Sequence, residues 1–246
     1  MTTDDAAAAR DMARRAAALD DTLALAVASD TEAAESLAFG LDESTLRRVV
    51  ACALAAAGIT VPVEVSLLLT SDDTLHALNR DYRGLDTATD VLSFPLLDHP
   101  LASAPADQLW QPADESGPVI PDARRASGVT PGSTDTDDTG NGGTTATDAA
   151  GDTDDDSADA GAGNAGARFA FLGPRGELLG LGDIAISGDA VRRQAAGAGH
   201  RVAYELAYLL AHGVLHLVGF DDHTEAGYQA MVALQQSALV CAGIGT

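Results

Sequence analysis

Twelve residues near the C-terminus predict a helix end and a metal centre together: His212-Gly213-Val214-Leu215-His216-Leu217-Val218-Gly219-Phe220-Asp221-Asp222-His223. A helix advances about 100° per residue, so His212 and His216 project from one face about one turn apart. Gly219 suits the left-handed conformation that ends a helix, which lets the chain turn back and bring His223 to the same point. Three imidazoles leave one position of a tetrahedral Zn²⁺ open, as a catalytic zinc site requires. The pattern predicts a hydrolytic centre with one zinc ion per chain, at the end of a buried central helix.

The same stretch differs from the best-known zinc peptidase motif. A lone histidine on a helix is usually structural, whereas a pair at i, i+4 followed by a third histidine favours a metal. In the peptidase motif HExxH a glutamate follows the first histidine, and here Gly213 stands at that position. A zinc peptidase would therefore need a general base from elsewhere in the chain.

Outward from this stretch, the hydrophobic patterns predict four strands and five helices. The strands are expected at Val61–Thr70, Asp90–Pro95, Arg168–Leu172 and Leu181–Ser187. The helices are expected at Ser44–Ala57, Ser71–Arg80, Asp189–Ala195, His200–Val218 and Thr224–Val240. Because strands and helices mix without strict alternation, the predicted fold class is α+β, with helices packed on a mixed four-stranded sheet.

Composition divides the chain into three parts. Residues 1–40 are an Ala-rich N-terminal extension with few large apolar side chains, and residues 41–246 form the metal-dependent domain. Residues 98–167 interrupt that domain with fourteen acids and two arginines, so they carry −12 of the net charge of −23. Asp, Thr, Gly and Ala leave little to bury, so this insertion is predicted to be disordered, with Leu109–Trp110 as its one apolar contact.

Charge, cysteine content and hydropathy bear on the binding partners of the protein and on its cellular compartment. Outside residues 1–40 and 98–167 the chain is only mildly acidic, which predicts no strong nucleic-acid footprint but allows a local arginine patch. Cys52 and Cys241 are too few for a disulfide framework, so reduced thiols are expected. We expect a soluble cytoplasmic protein, since no leader-like segment and no membrane-spanning apolar run is present.

Three stretches together resemble the YbeY family, the bacterial rRNA maturation endoribonucleases. The histidine run resembles the family signature His-Gly-x-Leu-His-Leu-x-Gly-Tyr-Asp-His. A second signature resembles Leu78-Asn79, Tyr82-Arg83 and Thr89-Asp90-Val91-Leu92-Ser93-Phe94-Pro95. A third is similar to Leu181-Gly182-Asp183-Ile184-Ala185-Ile186-Ser187, followed by Gln194-Ala195, Gly199-His200 and Glu205-Leu206.

The resemblance implies a single-strand-acting, zinc-dependent endoribonuclease. It implies a role in 16S rRNA 3′ end maturation and in ribosome quality control. The implied partners are ribosomal RNA and the small ribosomal subunit, and binding to DNA or to a membrane is not expected. Arg83 falls on the family's Tyr-Arg position and resembles its functional arginine, so we assign it to catalysis together with His212 and His216. Guanidinium matches paired phosphate oxygens and would stabilise charge that develops on phosphorus. A surface ion pair in an Asp-rich turn is the structural alternative for Arg83.

Two other functions stay open at this point. One is a zinc hydrolase that acts on another substrate, such as a peptide. The other is a ribosome-assembly factor that binds RNA without cutting it and uses zinc to hold the helix end.

One departure from the resembled signature concerns the third ligand. The family usually has five residues between its second and third histidines, and this chain has six, with Asp221-Asp222 in place of one Asp. A turn can absorb the extra residue, so we assign the metal to His212, His216 and His223. The alternative is that Asp221 or Asp222 replaces His223.

Four polar residues outside the histidine run have weaker signals. Asp90 and Ser93 are interpreted as satisfying backbone groups at a strand end. His200 is interpreted as a packing residue at the start of the long helix. Glu205 lies about two turns before His212, where it either orients a ligand histidine or stays at a polar edge.

Overall fold

The computed structural model describes residues 3–30, 40–111 and 178–245. These ranges contain six α-helices and four strands, which confirms the predicted α+β class. The helices are α1 (Thr3–Asp20), α2 (Glu43–Ala56), α3 (Asp72–Arg83), α4 (Gly188–Ala198), α5 (Val202–Leu217) and α6 (Glu225–Ala242). The strands are β1 (Ala24–Ser29), β2 (Val63–Thr70), β3 (Val91–Pro95) and β4 (Leu179–Ser187).

The four strands form one mixed sheet, as the sequence predicts, in the order β1-β2-β4-β3. β2 is parallel to β1 and to β4, whereas β3 runs antiparallel to β4 at the edge. Seven of the eight residues of β2 are buried, as expected for a central strand covered on both faces. The predicted strand Arg168–Leu172 lies outside the described residues, and β1 is the fourth strand among the described ones.

Helix α5 is the predicted buried central helix. Its residues are apolar nearly all round, which is typical of a helix enclosed by other elements. It packs against α2, α4 and α6 and against strands β3 and β4. His212 and His216 are only half-buried, so they face the side of α5 that its neighbours leave open.

Residues 1–40 differ from the predicted extension. Ala16, Leu19 and Leu23 are buried in the main hydrophobic core, and α1 packs on α2. β1 pairs with β2 along its full length, from Ala24 opposite Glu64 to Ser29 opposite Leu69. Residues 7–29 are therefore packed with the rest of the domain, because small side chains pack closely and parallel pairing needs no large residues. Residues 31–39 lie outside the described part of the chain.

The first residues of the predicted insertion, 98–111, also pack against the domain. Backbone amides of Leu101 and Ala102 both donate to the carbonyl of Val218, at 2.9 and 2.8 Å. The Trp110 amide donates to the Gly219 carbonyl at 2.9 Å, and its indole Nε1 donates to the His216 carbonyl at 3.2 Å. Residues 98–111 therefore cap the carbonyls at the end of α5, which explains the apolar pair Leu109–Trp110. Residues 112–167 of the predicted insertion lie outside the described residues.

A disulfide joins Cys52 of α2 to Cys241 of α6, where reduced thiols were expected. The Cα atoms are 5.9 Å apart, which is an ordinary separation for a disulfide. The two positions are 189 residues apart in the chain, so the sequence contains no local signal for this pairing. No helix in the described ranges is long and apolar enough to cross a bilayer.

Breaking the disulfide is expected to lower the free energy of unfolding by about 2–5 kcal/mol, since the bond restricts the unfolded chain. Urea unfolding of the Cys52→Ser, Cys241→Ser double variant and of wild type, each with and without reductant, measures the change. Wild type should lose stability on reduction and the double variant should not respond. Equal stability of all four samples would contradict the disulfide.

Candidate metal centre

His212 and His216 meet at the C-terminal end of α5, as their spacing predicts. Their Nε2 atoms are 2.9 Å apart, and the two rings lie nearly perpendicular, at 87°. Two ligands at about 2.0 Å from a tetrahedral Zn²⁺ lie roughly 3.3 Å from each other. The pair is therefore preorganised to share one ion.

A backbone carbonyl selects the tautomer of His216. Nδ1 of His216 lies 2.9 Å from the carbonyl oxygen of Phe220. Because a carbonyl only accepts hydrogen bonds, Nδ1 must carry the proton, which leaves the lone pair of the neutral ring on Nε2. Burial of the ring, and then the nearby His212, lower the pKa of His216 below its usual range. Both effects favour the neutral imidazole that a metal requires.

Gly219 makes this turn possible. Its φ is +120°, and an added Cβ would lie 2.5 Å from Cβ and 2.8 Å from Cα of Pro100. A side chain at this position would therefore be strained by the backbone and would also collide with Pro100. The predicted role of Gly219 in ending the helix is confirmed.

A side chain at Gly213 is also excluded, in this case by the packing of α5 against the sheet. A Cβ there would lie 2.8 Å from the side chain of Ile184 and 3.2 Å from Oγ of Ser93. The Ser93 hydroxyl donates to the Gly213 carbonyl at 3.3 Å. The position that bears the general base of a zinc peptidase therefore faces β3 and β4 at close range, and a glutamate would not fit.

The turn after Phe220 brings Asp222, rather than His223, towards the histidine pair. Asp222 Oδ2 lies 3.8 Å from Nε2 of His212, and Asp222 Oδ1 lies 4.0 Å from Nε2 of His216. Nδ1 of His223 instead contacts the carboxylate of Asp221, and the His223 side chain is 80% exposed. His212 and His216, two of the three predicted metal ligands, form one group with Asp222, whereas His223, the third, belongs to a second group with Asp221 and Asp222.

A cavity of about 360 Å³ opens beside His212. It lies between the start of β3, the middle of α4, one face of α5 and one face of α6. Its polar lining residues are Asp90, Gln194, Glu205, Tyr208, His212, Asp222, Tyr228 and Gln235. Tyr208 precedes His212 by four residues, so helical spacing alone could have placed it on this face. Tyr228 and Gln235 come from α6, where the sequence shows no such signal.

Glu205 pairs with His200 rather than with a predicted ligand. His200 Nε2 lies 3.2 Å from Glu205 Oε2, and both side chains are largely buried. Burial raises the pKa of Glu205, and the nearby His200 opposes that rise. His200 also packs edge-on against Tyr204, with ring centroids 4.9 Å apart, so its predicted packing role is confirmed.

Asp90 has the predicted backbone role and a second contact. Its carboxylate accepts from the Val91 amide at 2.9 Å and from Gln194 Nε2 at 2.7 Å. The second bond joins β3 to α4 at the rim of the cavity.

Arg83 lies apart from the residues that line the cavity. It is the exposed last residue of α3, and its neighbour Tyr82 packs edge-on against Phe94 of β3, with centroids 5.5 Å apart. Phe94 and Ser93 are consecutive in a strand, so they point to opposite faces of the sheet. Since Ser93 contacts α5, the end of α3 lies on the other face of the edge strand from His212.

Comparison with known proteins identifies one family. The family model described as "Endoribonuclease YbeY" matches residues 30–242. A relative from Moorella thermoacetica with that description is 35% identical over 202 residues, which cover 82% of this chain and 86% of the relative. One from Chloroflexus aurantiacus is 33% identical over 180 residues and 73% of each chain. One from Roseiflexus castenholzii is 29% identical over 211 residues, or 86% and 89% of the two chains.

A solution structure of a Thermotoga maritima protein is 15% identical and covers 89% of each chain at a TM-score of 0.38. That score is too low to bear on the fold.

Replacing Gly219 by alanine is expected to lower the free energy of unfolding by about 3 kcal/mol, because positive φ and the overlap with Pro100 add. Gly243→Ala is the matched control, since Gly243 ends α6 at φ +74° with open space around its Cα. The control should lose about 1 kcal/mol from backbone strain alone. Urea unfolding of both variants measures the difference, and equal losses would show that the Pro100 contact is unimportant.

Proposed function

Because the chain belongs to the endoribonuclease YbeY family, a family of hydrolytic nucleases, we propose that it cuts ribosomal RNA precursors with the aid of one zinc ion. The proposed reaction is hydrolysis of single-stranded RNA in 16S rRNA 3′ end maturation, with a further role in ribosome quality control. Its partners would be ribosomal RNA and the small ribosomal subunit, in the cytoplasm. The observation that carries the proposal is the histidine pair at the end of α5, 2.9 Å apart and beside an open cavity.

The donor set fits a divalent cation. His212 and His216 supply two imidazole nitrogens, and the turn at residues 221–223 supplies the third ligand. The Phe220 carbonyl holds His216 in the tautomer that presents Nε2. A zinc ion bound here would act as a Lewis acid and would lower the pKa of a water molecule, which supplies a nucleophile at neutral pH.

The cavity suits a single strand. At about 360 Å³ it has the size of a small-molecule pocket, which admits unstacked nucleotide parts and not a duplex. Tyr208 and Tyr228 line it, and tyrosine rings commonly stack on unpaired bases. The lining also includes the side-chain amides of Gln194, which donates to Asp90, and of the buried Gln235, which donates to the Tyr208 carbonyl.

Charged residues around the cavity are proposed to bind different parts of the RNA. Asp90 and Glu205 line the cavity and would repel phosphates, so they favour the amino groups of bases at this position. Arg83 is exposed beyond the edge strand and can contact the backbone of the same RNA. We therefore assign Arg83 to binding of an RNA phosphate as the strand passes β3, which would hold the scissile bond at the histidine pair.

Replacing His212 or His216 by alanine is expected to abolish both metal binding and RNA cleavage, because either substitution removes one of the protein's metal ligands. Elemental analysis gives the metal per chain, and a labelled rRNA precursor reports cleavage. His99→Ala is a control outside the site. Full cleavage by a metal-free His212→Ala, His216→Ala double variant would refute the proposed mechanism.

Arg83→Ala is expected to weaken RNA binding and cleavage about 10-fold or more while metal content stays unchanged. The slope of log affinity against log salt should fall by about 1, as expected when one phosphate contact is lost. Arg80→Ala is the matched control, since Arg80 is exposed in the same last turn of α3 and pairs with Asp81 at 3.0 Å. Equal effects of the two variants would show that Arg83 contributes only general charge.

A further inference from the structure

We infer that Asp222 is the third protein ligand, so that this chain holds its metal with two histidines and one carboxylate. The inference rests on the proposed metal centre and deepens it. Asp222 places one carboxylate oxygen 3.8 Å from Nε2 of His212 and the other 4.0 Å from Nε2 of His216. A small rotation of a side chain that is partly exposed shortens both distances to those of shared ligands.

The backbone on both sides of Asp222 is fixed. The Asp221 amide donates to the carbonyl of Gln108 at 3.0 Å. Thr224 caps α6 by accepting from the Gly227 amide at 2.9 Å, and its hydroxyl donates to the carbonyl of Asp107. Only two residues lie between these anchors, so the turn cannot shift by one position without the loss of an anchor.

His223 is held away from the histidine pair by its own neighbour. The carboxylate of Asp221 accepts a hydrogen bond from the His223 amide at 3.2 Å and also contacts His223 Nδ1. To reach the metal, His223 would have to give up the Asp221 carboxylate and change places with Asp222. In the structure it is the carboxylate of Asp222, and not the ring of His223, that forms a group with both histidines.

A carboxylate ligand changes which metal the site prefers. Two histidines and one carboxylate occur in catalytic zinc sites and also bind Fe²⁺, and oxygen ligands suit Mn²⁺. The carboxylate also adds one negative charge next to the ion. We therefore expect Mn²⁺ to compete with Zn²⁺ more effectively here than at a site of three histidines.

The test is metal binding by variants of the full chain. Asp222→Asn should weaken Zn²⁺ binding at least about 100-fold, since loss of a residue that merely orients a ligand already costs 10- to 100-fold. Asp221→Asn and His223→Ala are matched controls in the same turn and should stay within about 3-fold of wild type. Titration calorimetry measures affinity, and the visible absorption of the Co²⁺ form reports the change in ligand set.

A second variant distinguishes the loss of a metal ligand from a failure to fold. Asp222→His restores a third imidazole, so it should bind Zn²⁺ and lose affinity for Mn²⁺ relative to wild type. Circular dichroism and urea unfolding of each variant without metal show whether the fold is kept.

The outcomes separate the inference from the proposed function. Metal loss in His223→Ala, or retention in Asp222→Asn, would overturn the assignment of Asp222 while the histidine pair stands. A wild-type chain that binds no metal, or a His212→Ala variant that binds it fully, would overturn the metal centre itself.

Discussion

The hydrogen bond between the Phe220 carbonyl and Nδ1 of His216 is the interaction on which the site depends. It exists because Gly219 turns the chain back at a φ of +120°, in contact with Pro100, where a side chain would not fit. That turn orients the His216 ring, fixes the start of the turn that bears Asp222, and leaves the last carbonyls of α5 to be capped by residues 98–111. The end of α5, the orientation of the His216 ring and the packing of residues 98–111 thus all depend on the same turn.

Much of this arrangement could be predicted from local sequence. The spacing of His212 and His216, the glycine after the helix and the apolar content of α5 are local signals with a direct physical meaning, and the structure agrees with each of them. The predicted mixed sheet follows from β2 and β4, whose apolar residues are dense enough to be recognised without a partner. In these elements the metal ligands and the buried residues both recur at the spacing of the helix or strand.

The parts that could not be predicted depend on pairing between distant residues. Ala16 and Ala26 belong to segments of small side chains, and only their pairing with α2 and β2 shows that they lie in the domain. Cys52 and Cys241 form a disulfide because α2 packs on α6, which no local spacing reveals. The choice between Asp222 and His223 depends on anchors at Asp107 and Gln108, far away in sequence.

The charges that line the cavity favour a bound cation. Asp90, Glu205 and Asp222 line a cavity next to two histidines, and burial lowers the pKa of one of them, His216. Such a cavity repels a phosphodiester, and exposed arginines at a distance compensate only weakly because solvent screens them. In the proposed reaction, a divalent cation at the histidine pair would reverse the local sign for the scissile phosphate, and the remaining carboxylates would face the bases. In this chain, therefore, the proposed ion would serve substrate binding as well as chemistry, and with Asp222 as a ligand it would keep one unit of net positive charge for the phosphate.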